Sequence, residues 1–295
     1  MNPPERSAGT SGPGKGSLVL VATPIGNLGD LSPRAVAALA GADVIACEDT
    51  RHTRKLLTHA GVPARTLITV ADHNEAAAID KVLGLLRDGK RVALVSDAGT
   101  PGISDPGERV VRAAAAEEFA IELIPGPSAV VSALVLSGLP TGRFCFEGFL
   151  PRKGRERRDR LAVIAAERRT TVIYEAPGRV AATLRDLADG CGPVREVAVA
   201  RELTKLHEEV FRGTLAAAAD RVEAAGPRGE YVLVVAGAAE PDAGETDDDA
   251  LAAALTAAMA AGTDRRTAVA DVAAAYGVPR RRVYDLAIRL KSPAP

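Results

Sequence analysis

The chain has 295 residues, enough for two medium domains with a buried core in each, and its 47% apolar and 25% charged residues are ordinary for a soluble globular protein. A formal net charge of −1 excludes a global field drawing the protein onto nucleic acid or membrane, so any such affinity must come from local patches. Cys47, Cys145 and Cys191 are too scattered for a disulfide frame or a zinc site, and no apolar run reaches spanning length or forms a signal-peptide core, so a cytoplasmic protein is expected. Residues 1–16, rich in glycine, proline and serine, read as a disordered leader.

Order then begins abruptly. "SLVLVA" (17–22), "DVIAC" (43–47), "TLITV" (66–70), "RVALVS" (91–96) and "IELIP" (121–125) are short β-branched apolar runs, each followed by a turn and a helical stretch. Ser32 and Pro33 mark one helix start, as N-cap and first helical residue. Apolar strands alternating with helices predict a parallel sheet covered on both faces, over residues 17–140. From residue 141 to 237 the strands "RFCFEGFLP", "TTVIYEAP", "REVAVAREL", "HEEVFRGT" and "GEYVLVVAG" alternate more with polar residues, with two helical stretches near 155–168 and 178–189, which predicts a mixed α/β domain. Residues 238–249 read as an acidic linker. Residues 250–295 read as a helical tail, in which two short helices around "YGVP" resemble a helix-turn-helix.

Ligands of an open parallel sheet bind beyond the carboxyl ends of its strands. Those ends carry "TPIGNLGD" (23–30), "EDTRHT" (48–53), "ADHNE" (71–75), "DAGTPG" (97–102) and "PGPSA" (125–129). A phosphate cradle would carry a lysine, and none lies near the three glycine-rich turns at 23–30, 97–102 and 125–129; Asp97, Asp105 and Glu108 instead surround the fourth loop with negative charge. The first loop also lacks the G-x-G-x-x-G spacing, although Glu48 and Asp49 fall about where a dinucleotide ribose acid would. S-adenosylmethionine fits better, with two ribose hydroxyls, an ammonium, a sulfonium and no phosphate.

Eight ordered motifs, "TPIGNLGDLSPRA", "EDTRHT", "DHNE", "SDAGTPGISDPG", "PGPSA", "FEGFLPRKGRERRDRL", "YEAPGR" and "ARELTK", resemble the ribosomal RNA small subunit methyltransferase I family of the tetrapyrrole methylase-like superfamily, over roughly residues 17–237. The resemblance implies a two-domain α/β fold and a homodimer with S-adenosylmethionine between its domains. It also implies 2′-O-methylation of a cytidine in the decoding region of 16S rRNA, in the small ribosomal subunit. By the same resemblance the cofactor positions are Pro24, Ile25, Asp97, Ala98, Gly99, Thr100, Ser128 and Ala129, with backbone near Tyr174, Ala200 and Tyr231. Asp97 would accept from the cofactor's ribose or ammonium. Tetrapyrrole-modifying relatives carry a more glycine-rich first loop than "TPIGN".

A 2′-hydroxyl needs a proton acceptor, and the residues near the rim that qualify are Glu48, Asp49, His52, His73, Glu75, Glu175, Glu202 and Lys205. Glu202 and Lys205 are the first assignments, with Glu48 and Asp49 behind them; sequence does not choose, and Lys205 qualifies only with a lowered pKa. The four histidines are too scattered for ligand spacing, so no metal is expected. "PRKGRERRDR" (151–160), six basic residues against two acidic, offers Arg152, Lys153, Arg155, Arg157 and Arg158 to RNA, and Arg201 beside Glu202 could grip its backbone. The tail, with Arg280, Arg281 and Arg282 opening its second helix, is a second candidate grip. The competing readings are a methyltransferase for a tetrapyrrole or other target, a non-catalytic ribosome-binding factor, and a dinucleotide oxidoreductase.

Overall fold

A computed structural model describes residues 15–63, 65–71, 75–226, 228–239 and 247–290. The expected leader up to residue 14, His73, the Glu75 side chain and residues 240–246 of the expected linker lie outside the described residues. The chain divides into two compact units, residues 1–237 and 238–295.

The first unit holds two five-stranded sheets. β1 (Ser17–Val21), β2 (Val44–Cys47), β3 (Thr66–Thr69), β4 (Arg91–Val95) and β5 (Ala120–Ile124) form an all-parallel sheet in the order β3-β2-β4-β1-β5. Alternation along these strands serves two cores. Val19, Val21, Ile45, Cys47, Ala93 and Val95 pack beneath α1 (Pro33–Ala40) and α2 (Thr50–His59). Leu18, Leu20, Val44, Ala46, Val92 and Leu94 pack beneath α3 (Glu75–Arg87) and α4 (Glu108–Ala116). Each buried valine, leucine or isoleucine among them contributes about 1.5–3 kcal/mol. At α1 the Ser32 hydroxyl accepts from the Ala35 amide at 3.1 Å, with Pro33 at the first helical position, as the sequence predicts.

The second sheet contains β6 (Phe144–Phe149), β7 (Thr170–Glu175), β8 (Glu196–Arg201), β9 (Glu209–Thr214) and β10 (Tyr231–Val235), ordered β6-β7-β10-β8-β9. Only β6 and β7 run parallel, so the sheet is mixed. One face is covered by α6 (Gly154–Ala166), α7 (Val180–Cys191) and α8 (Leu215–Ala225) over Ile173, Val197, Val199, Leu233 and Val235. α8 is the helix that the sequence reading missed. Thr214 caps it, accepting from the Ala217 amide at 3.3 Å, and Leu215, Ala218, Ala219 and Val222 form its buried stripe. The other face receives α5 (Ala129–Ser137), whose Val130, Ala133 and Leu134 pack on Val172, Ala198, Val232 and Val234. A helix lying before residue 141 therefore packs on the second sheet.

The second unit contains α9 (Asp248–Ala260), α10 (Arg265–Ala275) and α11 (Arg280–Arg289) around Leu251, Leu255, Val269, Val272, Val283 and Leu286. Asp247 caps α9, so its first turn opens inside the span expected to be linker. Among the described residues no helix is long and apolar enough to cross a membrane.

Candidate functional site

β1 and β4 are neighbours whose following helices, α1 and α4, lie on opposite faces of the sheet, so their loops diverge and open a crevice. The two loops are tied at their base. The Thr23 amide donates to the Gly99 carbonyl at 2.8 Å, and the Gly99 amide returns a bond to the Thr23 carbonyl at 3.1 Å. Gly99 holds φ +77°, a left-handed conformation that few side chains tolerate.

A cavity of about 370 Å³, within the usual range for small-molecule sites, lies between this rim and the second sheet. Ile25 and Ala98–Thr100 form its floor, Ser128 and Ala129 come from the start of α5, and Tyr174 and Tyr231 close it from β7 and β10. Asp105, expected only as part of the charge around the fourth loop, also lines it, as do Ile103, Phe149, Leu203, Glu230 and Val232, which the sequence reading missed. Tyr174 sits edge-on to Phe146, centroids 5.0 Å apart, and tilted against Phe149 at 5.6 Å. Burial, and then the charge of Asp105, push its hydroxyl up to about 12, against an opposing bond from the Val130 backbone.

Among the described residues lining this cavity there is no lysine or arginine; its charged groups are Asp105, Glu175 and Glu230. The fully buried Glu175 carboxylate is committed to Arg179, the Thr183 hydroxyl at 2.6 Å and the Ala176 amide at 2.8 Å, so it is a buried structural anchor and offers no base. An apolar, aromatic chamber without cations suits a nucleoside carrying positive charge and no phosphate. Ala200 does not line it. Its side chain is buried in the core beneath α5, because β8 turns residues 198 and 200 towards that helix.

A second cavity of about 410 Å³ adjoins the first and shares Ile25, Ala98 and Glu230 with it. Pro24, Gly26, His52, Asp97 and Lys205 are among its other lining residues, with Lys55 as a second cation and Leu28 and Leu56 as apolar wall. β2 and β4 pair with Cys47 beside Val95, and continuing that register past the strand ends brings residues 49 and 97 together. Asp97 Oδ1 accepts the Asp49 amide at 3.1 Å, and Asp97 Oδ2 lies 2.8 Å from His52 Nδ1. Asp97 is thus placed in the second cavity with both oxygens engaged, where the sequence reading had it accepting from the cofactor. An ionised Asp97 fixes the proton of His52 on Nδ1 and leaves Nε2 as an acceptor.

The other carboxylates of this rim are occupied. Asp49 caps α2, accepting from the Arg51 amide at 2.7 Å and pairing with its guanidinium, and those bonds hold its carboxyl far below the usual carboxylate range. Glu48 accepts from the Asp97 amide at 3.4 Å. Neither is among the residues lining these two cavities. Donor atoms of Asp49, His52 and Asp97 lie within 4.8 Å of one another, close enough to share a cation although none was expected; the hydrogen bonds already account for the spacing, and no ion is assigned.

The turn from β8 to β9 brings a lysine over the first loop after all. A Cβ at Gly26 would meet Lys205 Cγ at 2.5 Å. Lys205 Nζ donates to Glu202 Oε1 at 2.9 Å and to Glu230 Oε2 at 2.8 Å, and Glu202 Oε1 also accepts the Glu230 amide at 2.9 Å. Burial pulls the Lys205 pKa down, but its bonds to the two carboxylates outweigh that and raise it. The Lys205 bond in turn lowers Glu202. Lys205 is therefore a fixed cation, unsuited to the base role assigned from sequence, and Glu202 faces neither cavity. Glu202 and Thr204 hold positive φ of +52° and +65°, the kind of strain that concentrates at functional turns.

The basic run divides by environment. Arg157, only 11% exposed, donates to Asp186, Thr183 and the Pro151 carbonyl and clamps α6 to α7. Arg155 pairs with Asp159 at 3.4 Å on an exposed face. Arg152, Lys153 and Arg158 are exposed, with no ion pair among the described residues. Arg201 donates to the Arg228 carbonyl at 2.9 Å and lies 3.6 Å from Glu209, directed along β9.

Residues 17–219 match the model of the Tetrapyrrole (Corrin/Porphyrin) Methylases. A protein of Synechocystis sp. named ribosomal RNA small subunit methyltransferase I is 47% identical over 277 residues, covering 94% of this chain and 99% of that one. Proteins of the same name from Xylella fastidiosa and Mycobacterium tuberculosis are 46% and 47% identical, covering 91% and 93% of this chain and 98% and 95% of theirs. The chain belongs to the ribosomal RNA small subunit methyltransferase I family. Its fold is that of solved methylases at greater distance. A cobalt precorrin-4 methyltransferase superposes with a TM-score of 0.57 at 18% identity, over 75% of this chain and 94% of that one. A Thermus thermophilus uroporphyrin-III C-methyltransferase complexed with S-adenosylhomocysteine gives 0.53 at 18%, over 75% and 97%. This chain thus shares its fold with methyltransferases of corrin and porphyrin substrates.

Proposed function

We propose that this protein is an S-adenosylmethionine-dependent methyltransferase of the cytoplasm that methylates the 2′-hydroxyl of a cytidine in the decoding region of 16S rRNA, acting as a homodimer on the small ribosomal subunit. The observation that carries the reading is the pair of adjoining cavities, one apolar and without cations, the other bearing His52, Asp97 and Lys205. Ile25, Ala98, Gly99, Thr100, Ser128, Ala129, Tyr174 and Tyr231 would hold the cofactor in the first. S-adenosylmethionine supplies an electrophilic methyl on a sulfonium, and the chain's own residues must bring a nucleophile to it in line.

The target ribose enters the second cavity. His52 Nε2 takes the proton of the 2′-hydroxyl while Asp97 holds the ring and stabilises the imidazolium that forms, a division of labour that contributes roughly 10²–10⁴-fold. Lys205, held positive by Glu202 and Glu230, attracts the phosphate next to that ribose. The exposed Arg152, Lys153 and Arg158 add sequence-independent affinity for the RNA. α5 supports the homodimer, being apolar on every side while Val131 and Val135 stay exposed.

The test is transfer of a tritiated methyl group to small subunits from a strain lacking the protein, followed by mapping of ribose methylation through resistance to alkaline hydrolysis. One protected cytidine in the decoding region is expected, with the His52→Asn rate at least 100-fold lower. Labelled RNA that stays fully alkali-sensitive carries its methyl on a base, and the ribose assignment fails.

A further inference from the structure

The three-helix unit carries a groove of about 820 Å³ between the amino ends of α10 and α11. Arg265 and Arg266 enter it from α10, Arg280, Arg281 and Tyr284 from α11. Among the described residues none of the four guanidiniums forms an ion pair. Arg282, the next residue, behaves differently: it pairs with Asp248 at 2.9 Å and ties α11 to α9. The helices are held by their own core, so the arginines are displayed by a packed frame.

The acidic group at this rim is Asp264, and it is committed. Its oxygens accept from the Thr267 hydroxyl at 2.6 Å and from the Arg266 and Thr267 amides at 3.0 and 3.2 Å, which hold its carboxyl below the usual range. α11 has no side-chain cap, since Pro279 occupies that position, so its first amides add to the positive end of the groove. The four guanidiniums, with no carboxylate among the residues that line the groove, repel one another and gain from an extended polyanion.

We infer that this groove is a second RNA site, taking the phosphodiester backbone of a single-stranded segment away from the nucleotide being methylated. Every basic residue from 247 to 290 is arginine, the side chain whose forked donors match phosphate oxygens. Tyr284, half exposed on the same wall, gives a neighbouring base a face to stack on, which a merely acidic protein partner would not need. The inference rests on the RNA-methyltransferase reading for the class of polymer.

The experiment measures binding of a fluorescein-labelled, mixed-sequence 20-nucleotide RNA to the full-length protein across a salt series, beside cofactor binding by calorimetry. Each phosphate left without its cation on a single strand lowers the log–log salt slope by about 0.7, so the Arg280→Gln, Arg281→Gln pair should flatten it by about 1.4. RNA affinity at moderate salt should fall about tenfold or more, with cofactor affinity unchanged. Tyr284→Ala should weaken binding at least fivefold without altering the slope. An unchanged slope in the Gln variant of all four arginines, with its circular dichroism melt intact, overturns the site. Polyglutamate competing as well as RNA at equal charge does the same, in favour of an acidic protein partner. Failure of the wild-type chain to bind the cofactor would sink the methyltransferase reading alone, because the groove is read without turnover.

Discussion

A carboxylate that accepts one amide and one imidazole proton orients rather than binds, which decides what a change at Asp97 should do. Asp97→Asn can keep the oxygen that takes the Asp49 amide, but then offers His52 an N–H where it had an acceptor. His52 is driven into the other tautomer, with its proton facing the second cavity. Single-turnover methyl transfer should slow by about 10²–10⁴-fold, while cofactor affinity by calorimetry stays within about threefold. A variant that loses cofactor affinity and transfers at the wild-type rate once saturated would return Asp97 to the cofactor. Tyr174 belongs to the same scale. With its hydroxyl pushed up to about 12, it stays protonated at any working pH and serves as a wall and hydrogen-bonding group, never as a base. Tyr174→Phe should remove only the most alkaline part of the absorbance rise at 295 nm. Loss of a component titrating below pH 11 would contradict the burial of that ring.

At the scale of elements, the β8–β9 turn depends on one cation between two carboxylates. The lowered Glu202 contributes stability that is present above its ordinary carboxylate pKa and is lost as pH falls through its folded value. The raised Lys205 contributes below its ordinary pKa and loses that contribution as pH rises through the folded value. The turn is therefore tightest across the neutral range. Lys205→Met should cost about 1 kcal/mol at pH 7, read as a fall of a few degrees in melting temperature. The difference from wild type should shrink as pH falls below the ordinary carboxylate range and Glu202 takes up its proton; a gap that widens instead would refute the charge argument. This turn also shows where sequence runs out. The parallel strands were legible because β1, β2 and β4 are nearly continuous apolar runs between turns and β3 and β5 are short β-branched ones, and the cofactor loops because they end those strands. α8 was equally marked by Thr214 and the Leu215, Ala218, Val222 spacing, but its alanine-rich face gives little contrast with its surface. The partners of Lys205 were not legible in full, since Glu230 lies 25 residues away and joins it only through the pairing of β8 with β10. His52 and Asp97, 45 residues apart, meet because β2 and β4 are neighbours, an adjacency the alternation of strands and helices does not specify.

At the scale of the whole molecule, the open question is what covers α5. The helix "AVVSALVLS" has no polar side, which is the composition of a helix buried all round. Val130, Ala133 and Leu134 are covered by the second sheet, yet Val131 is 52% and Val135 65% exposed. β5 adds to the demand as an edge strand with Ile121 and Leu123 half exposed. The proposed second copy of the chain would answer both demands, and a stable pair needs about 800 Å² from each partner, more than two valines alone supply. Val135→Asp places a charge where apolar burial is required, without touching the cavity-lining start of α5. The wild-type protein should elute in size exclusion with light scattering at twice the chain mass at micromolar concentration, and the variant at the mass of one chain. Far-UV circular dichroism should be unchanged and cofactor affinity kept, because every residue assigned to the cofactor comes from a single chain. A wild-type monomer at ten micromolar, or a Val135→Asp protein that remains a dimer, would mean that something other than a second copy answers the exposed face of this helix.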